Sequence, residues 1–192
     1  MTTNRTTDAA TDRLFIDRWS PRAYDGSSIP AADVDTILDA GRWAPSAYNY
    51  QPWRFLYATR DDANWGRFLD LLIPFNQSWA KDSGLLIFIV SETTMGSPEK
   101  PSHSHSFDAG AAWQNIALQA HLLGYHAHGM VGADFDKART ELGVPEGFRF
   151  EAAIAIGKIG DPATLPEGLR EREVPSDRKP LGDVAIAGNF VA

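Results

Sequence analysis

Hydrophobic residues along the chain recur at two different spacings, which divide most of it into alternating helical and extended stretches. Spacing of three and four residues predicts helices, whereas short apolar or alternating runs bounded by turn residues predict strands. The predicted helices cover residues 11–19, 30–41, 62–73, 107–124 and 134–143. The predicted strands cover residues 53–59, 84–91, 125–132 and 148–160. Because helices and strands alternate in this order, the pattern favours a sheet layered between helices.

A few residues mark where the predicted helices begin and end. Pro74 is expected to end the helix at 62–73, since proline cannot donate the hydrogen bond that continues a helix. Ser106 is a candidate cap for the start of the helix at 107–124, and Gly124 can close it. Small residues along that helix would allow a second element to approach closely; they are Ala109, Ala112, Ala117 and Ala120.

The two ends of the chain lack this periodicity. Residues 1–10 are polar and predict a flexible tail. Residues 161–192 are rich in proline, glycine and charge, so we expect them to bury little against their own core. Their apolar stretch DVAIAGNF favours an extended C-terminal arm that lies on another subunit. The length of 192 residues predicts a single domain spanning 1–192.

Composition narrows the functional class. With 43% hydrophobic and 22% charged residues, the chain is typical of a globular protein. Its net charge of -7 and lack of a basic run argue against a nucleic-acid partner. The absence of cysteine excludes disulfides, zinc–thiolate sites, iron–sulfur clusters and cysteine nucleophiles. The start has no apolar signal segment and the longest apolar run, 84–90, is too short for a bilayer, so we expect a cytoplasmic protein without a membrane partner.

Polar groups gather in three stretches. The first is RWSPR, residues 18–22, whose arginines and serine could bind a phosphate but could equally be solvated. The second is the link RWAPSAYNYQPWRF, residues 42–55, whose amides and hydroxyl could contact a ligand or cap their own loop. The third is HAHGMVG, residues 126–132, where glycines would let backbone approach a flat ligand. A histidine metal site there is disfavoured, because no carboxylate or thiol lies at ligand spacing.

Taken together, these stretches resemble the nitroreductase family of FMN-dependent oxidoreductases. The likeness runs over about residues 13–187 and rests on RWSPR, on APSAYNYQPWRF leading into a strand, on the stretch from DAGAAWQNIALQAHLLG through HAHGMVGADF to AIAIGKIGD, and on RKPLGDV. The resemblance implies an α+β fold, a three-layer α/β/α sandwich with a mixed, largely antiparallel central sheet. It also implies a homodimer with FMN at the interface, and a C-terminal arm, 161–192, that embraces the partner subunit.

The resemblance also implies roles for individual residues. Arg18 and Ser20, with Trp19 between them, would bind the FMN phosphate together with Arg178 and Lys179. Arg22 would face the N1 and O2 edge of the flavin. The remaining contacts would be Pro45, Ser46, Ala47 and Asn49 from the partner subunit, Asn76 at the pyrimidine side, and the backbone of Met130, Val131 and Gly132 near N5 and O4.

The activity implied is transfer of a hydride from NAD(P)H through FMN to a small electron acceptor, such as a nitroaromatic or a quinone, in a ping-pong cycle. No side-chain acid or base is required, because the flavin N5 performs the chemistry. Two alternatives stay open. One keeps the fold with different flavin chemistry, as in an oxidase, a dehalogenase or a flavin-consuming enzyme. The other is a flavin-binding protein without turnover.

Overall fold

A computed structural model describes residues 5–190, and within that range every predicted helix and strand occurs in the predicted order, together with three short helices that were not predicted. The helices are α1 Arg13–Asp17, α2 Ala31–Arg42, α3 Trp65–Leu69, α4 Pro74–Ala80, α5 His105–Leu122, α6 Phe135–Glu141, α7 Glu167–Arg170 and α8 Leu181–Val184. The strands are β1 Trp53–Thr59, β2 Leu85–Glu92, β3 His126–Met130 and β4 Phe148–Gly157. Short 3-10 turns occur at Ala47–Asn49 and Pro162–Thr164. Residues 1–4 of the predicted tail and 191–192 of the predicted arm lie outside the described residues.

The four strands form one sheet in the order β1-β2-β4-β3. Each neighbouring pair is antiparallel, and no parallel pair occurs between residues 5 and 190. β1 and β3 are the two edge strands, so the elements that border them lie at opposite edges of the sheet. The predicted α+β class with a largely antiparallel sheet is confirmed, and among the described strands the sheet is wholly antiparallel where a mixed one was predicted.

Side chains of β2 point alternately to the two faces of the sheet, and each face packs in its own hydrophobic core. Leu85, Ile87 and Ile89 face a core shared with α2 and α5. The even-numbered residues from Leu86 to Val90 face a core shared with α3, α4 and α6. A strand buried on both faces is apolar at every position, and the sandwich of helices around the sheet follows from that burial.

The central helix α5 packs closely because its inner face is small. Its buried residues are mostly alanines, with Ile116 among them. At Gly41 of α2 an added Cβ would lie 2.8 Å from Ile116, so only glycine permits this approach. Within the described residues, no helix has the length and hydrophobicity needed to cross a bilayer.

Two of the predicted helix boundaries were wrong. The helix predicted at 62–73 ends at Leu69. Pro74 instead begins α4, because the first helical position needs no N–H donor and proline suits it. Ser106 lies inside α5, whose N-cap position is Ser104. The hydroxyl of Ser104 donates to the Asp108 carboxylate at 3.0 Å, so the serine acts through a side chain and not through the helix backbone.

The expectation that residues 161–192 bury little against their own core was also partly wrong. Leu165 and Leu169 are each 4% exposed and belong to the core on the α4 side of the sheet. Residues 176–190 are exposed throughout. Leu165, Leu169 and Glu173 therefore anchor the segment on its own chain, whereas its other residues up to 172, like residues 176–190, are exposed.

Candidate functional site

Three arginines and a serine from distant parts of the chain converge beside the end of α1, and we call Arg5, Arg18, Ser20 and Arg178 the cation corner. Arg18 donates from Nη1 to the Ser20 hydroxyl at 3.2 Å. Arg5 donates to the Arg18 carbonyl at 2.9 Å and to the Ser176 carbonyl at 3.4 Å. Burial, followed by the positive charges of Arg178 and Arg5, lowers the pKa of Arg18.

Acidic side chains only partly offset this positive charge. Asp17 and Asp177 raise the pKa of Arg5, but burial and Arg178 outweigh them and lower it overall. Asp17 is also in an ion pair with Arg13. Repulsion among like charges at a partly buried position is relieved by an anion, so the cation corner is suited to a phosphate.

An open cavity adjoins the cation corner. Its volume is about 830 Å³, and its lining includes Arg5, Arg178 and Lys179 together with apolar side chains of the terminal segments. Lys179 is exposed. The corner therefore opens toward space large enough for more than an inorganic ion.

A second group of side chains lies where the 18–22 segment meets β3 and α4. The Arg22 guanidinium carbon is 5.9 Å from the Trp79 ring centroid, and the His128 ring is 4.8 Å from the same indole. Nδ1 of His128 is 3.0 Å from the Pro21 carbonyl, and a carbonyl only accepts, so that nitrogen carries the hydrogen. Burial, with the nearby Arg22 charge, lowers the pKa of His128 to about 4. His128 is thus neutral at pH 7 and fixes the 18–22 backbone.

Buried donors in this group have no partner. Nε of Arg22 and Nε1 of Trp79 are both buried without a hydrogen bond to any residue between 5 and 190. Buried polar atoms are nearly always satisfied, so each orphan needs an explanation. Two donors on adjacent side chains are what a ligand with acceptor atoms would use.

The turn after β3 is held by α4. Asn76, which is buried, donates from Nδ2 to the Gly132 carbonyl at 2.9 Å, and the N–H of Ile73 donates to the same oxygen at 3.1 Å. An added Cβ at Gly132 would lie 2.4 Å from the Asn76 amide nitrogen. Met130 is buried and Val131 is 73% exposed. The backbone of this turn is therefore held in place, and beside the exposed Val131 a flat ligand could approach it.

The link between α2 and β1 forms a rigid projection, which we call the ledge, residues 45–51. The Ser46 hydroxyl accepts from the Gln51 N–H at 3.0 Å, so the loop caps itself. The Ala47 N–H donates to the buried Asp108 carboxylate of α5 at 3.2 Å. Tyr48, Asn49 and Gln51 all have positive φ near 51–57°. Such backbone persists only where surrounding structure fixes it, and here Asp108 and the internal hydrogen bonds do so.

Within one chain the ledge and the Arg22–Trp79 group do not meet. The ledge leads into β1, whereas Pro21 and the Gly132 turn contact β3, at the opposite edge of the sheet. Three interstrand spacings of about 4.8 Å separate these edges by roughly 14 Å. The two groups therefore lie at opposite edges of the sheet within one chain.

The comparisons with known proteins decide the family. The model of the Nitroreductase family matches residues 16–73 and 73–158. The chain belongs to the nitroreductase family. A crystal structure described as an oxidoreductase containing FMN is 54% identical, covers 100% of this chain and 99% of its own, and has a TM-score of 0.96.

Two more distant relatives are also similar to this chain. The FMN-dependent nitroreductase of Clostridium difficile R20291 is 25% identical, with 77% of this chain and 87% of that chain covered and a TM-score of 0.64. Protein DrgA of Synechocystis is 24% identical over 92% of this chain and 93% of its own length.

The structure places the predicted residues in separate groups, and it adds others. Arg18, Ser20 and Arg178 meet, and Asn76 meets Gly132. Trp19 packs edge-on against His126, with ring centroids 6.4 Å apart. The residues that the sequence analysis missed are Arg5, Trp79, His128 and Glu173. His128 lies in the HAHGMVG stretch, but no local pattern assigns a role to any of the four, because each acts through a contact with a distant segment.

Among the described residues, no three histidine, cysteine or acidic side chains lie together as metal ligands. His126 packs against Trp19 and against His121, whose ring centroid is 5.6 Å away. Burial, with the His121 charge, lowers the pKa of His126 to about 4. Its role in the described structure is packing.

Proposed function

We propose that this nitroreductase-family protein is an FMN-dependent oxidoreductase that passes a hydride from NAD(P)H to a small electron acceptor, such as a nitroaromatic or a quinone, in a ping-pong cycle. The observation that carries this proposal is the cation corner together with the neighbouring side chains of Arg22 and Trp79. Nε of Arg22 and Nε1 of Trp79 are buried donors without a hydrogen-bond partner among the described residues. A phosphate and a ring with acceptor atoms would satisfy both. The FMN in the related oxidoreductase structure and the FMN dependence of the Clostridium difficile nitroreductase support the same group here.

The phosphate end is proposed at the cation corner. Arg18, Ser20 and Arg178 would hold the phosphate, with Lys179 at the rim and Trp19 packed beneath. Three guanidiniums and a hydroxyl suffice for one phosphate dianion, because charge-assisted hydrogen bonds are the strong ones. Arg5 completes the set, since it is already anchored to the Arg18 carbonyl.

The ring end is proposed against Arg22 and the turn after β3. Arg22 would lie at the N1 and O2 edge, and its positive charge favours the negative charge that the ring gains on reduction. The backbone of Met130, Val131 and Gly132 would lie near N5 and O4. Asn76 holds that turn through the Gly132 carbonyl and is the proposed contact at the pyrimidine side.

The remaining ring contacts are proposed to come from a second copy of the chain. Pro45, Ser46, Ala47 and Asn49 lie on the ledge, which a flavin at Arg22 of the same chain cannot reach across the sheet. A homodimer would bring the two edges together. The exposed apolar residues of the last segment are suited to cover a partner; they are Leu181, Val184, Ile186 and Phe190. The single domain over 1–192, the arm at 161–192 and the cytoplasmic location stay predictions.

When bound, FMN supplies the two-electron carrier for the reaction. The protein's own groups bind and orient. The cation corner fixes the phosphate, Arg22 provides positive charge at the ring, and the ledge limits the approach of donor and acceptor to one ring face. His128 is neutral at pH 7, so it orients Pro21 and does not donate a proton from an imidazolium.

A visible absorption spectrum of the purified protein tests this function. Flavin absorption is expected on purification or after addition of FMN, and NADH or NADPH should bleach it under anaerobic conditions. Adding a nitroaromatic or a quinone should then restore the oxidised spectrum. A protein that binds no FMN contradicts the proposal. Bound FMN that no nicotinamide donor reduces would favour different flavin chemistry or a binding protein without turnover.

A further inference from the structure

Glu173 connects the C-terminal segment to the 18–22 segment. It is only 8% exposed, although the residues on either side of it are exposed. Its Oε1 accepts from the Arg22 N–H at 2.6 Å and from the Ala23 N–H at 2.7 Å. Two short hydrogen bonds to adjacent backbone groups fix the position of Arg22 in the chain.

The charge of Glu173 acts on the Arg22 side chain as well. The carboxylate raises the pKa of Arg22, against the larger effect of burial, which lowers it. Oε2 of Glu173 and Nε of Arg22 are both buried, and neither has a hydrogen-bond partner among residues 5–190. The negative charge of Glu173 lies in a poorly solvated site, where it acts strongly on its neighbours.

We propose that Glu173 is a positioning residue that holds Arg22 and moderates the positive charge that Arg22 presents to the bound ring. This inference rests on the proposed function. The hydrogen bonds fix where the guanidinium emerges from the backbone. The carboxylate cancels part of its field, which makes reduction of a ring beside Arg22 less favourable than an isolated guanidinium would make it.

Two substitutions separate these roles. In Glu173→Gln the side-chain carbonyl can still accept from both backbone N–H groups, but the negative charge is gone. In Glu173→Ala both the acceptor and the charge are lost. Glu171→Gln is the matched control, because it removes the same charge from an exposed residue of the same segment.

The reduction potential of bound FMN is the readout that a purely structural role would not move. Glu173→Gln is expected to bind FMN within about threefold of the wild-type affinity, and to shift the midpoint potential to more positive values. Glu171→Gln should leave the potential at the wild-type value, since water screens its charge. Glu173→Ala should weaken FMN binding by about tenfold or more, because Arg22 loses its backbone anchors.

Amide hydrogen exchange tests the positioning role without FMN. The N–H groups of Arg22 and Ala23 should exchange slowly in the wild type and in Glu173→Gln, and quickly in Glu173→Ala. Equal exchange in all three proteins would overturn the positioning role.

The outcomes distinguish this inference from the function on which it rests. If the wild type binds and reduces FMN but Glu173→Gln has the wild-type potential, Glu173 does not moderate Arg22 and the inference is overturned while the function stands. If the wild type binds no FMN, the proposed function fails, and the proposed effect on the ring fails with it.

Discussion

Replacing Arg18 with alanine tests the cation corner in the most detail. Arg18 is partly buried, donates a hydrogen bond to the Ser20 hydroxyl and lies near two other arginines. A hydrogen bond to a charged group contributes about 1.5–3 kcal/mol, which corresponds to a roughly 10- to 150-fold change in Kd. We therefore expect Arg18→Ala to weaken FMN binding within that range. The apo protein should lose no stability, because the substitution also removes repulsion among the arginines.

Riboflavin makes this test specific, since it has the same ring and no phosphate. Arg18→Ala should leave riboflavin affinity unchanged while FMN affinity falls, as measured by fluorescence titration of the apo protein. Arg67→Ala is the control, because Arg67 is an exposed arginine on α3 and should leave both affinities unchanged. The difference between Arg18→Ala and wild type should shrink at high salt. An equal loss for riboflavin and FMN, or an equal effect of Arg67→Ala, would refute the phosphate role.

Three further predictions concern the ledge, a buried histidine and the turn after β3. Asp108→Ala should weaken riboflavin and FMN binding equally, because it frees the Ala47 N–H and so loosens the part of the site proposed to contact the ring; a loss confined to FMN would contradict this. The pKa of His126 is about 4 in the folded protein, whereas the ordinary histidine value is 6.5. Between pH 4 and 6.5 the unfolded chain therefore binds more protons at this residue than the folded protein does. Stability should therefore fall as pH drops from about 6.5 to 4, by up to roughly 1.4 kcal/mol per pH unit for this residue, and urea unfolding of His126→Leu should show a shallower fall. Gly132→Ala should cost about 1–3 kcal/mol because its Cβ collides with the Asn76 amide; urea unfolding should show partial recovery in Gly132→Ala/Asn76→Ala, and additive losses would contradict the clash.

Elements with a clear hydrophobic period could be predicted from the sequence. β2 is apolar on both faces and α5 has a stripe of alanines, so both the sheet and the helix above it were predictable. Pro74 misled the boundary prediction because proline both ends helices and begins them, and only the chain that follows decides between the two.

Residues that act through distant contacts could not be predicted. Arg5 lies in a polar stretch without periodicity, yet it reaches the Arg18 carbonyl. Glu173 lies in a segment rich in proline and charge, and its partners are about 150 positions earlier in the chain. The pairing of Trp79 with His128 depends on how α4 packs against β3. Sequence patterns report local periodicity, whereas these contacts follow from the folding of the whole chain.

A subunit complementation experiment tests the central claim, that one FMN is held by the cation corner of one copy and the ledge of another. Arg18→Ala/Arg178→Ala removes the corner and Asp108→Ala loosens the ledge, so each variant alone should bind FMN poorly. After subunits exchange in an equal mixture, half the dimers should be mixed and each should contain one intact site. About one quarter of all sites should then bind FMN with wild-type affinity. A mixture that binds no more FMN than the two variants do separately would contradict the claim.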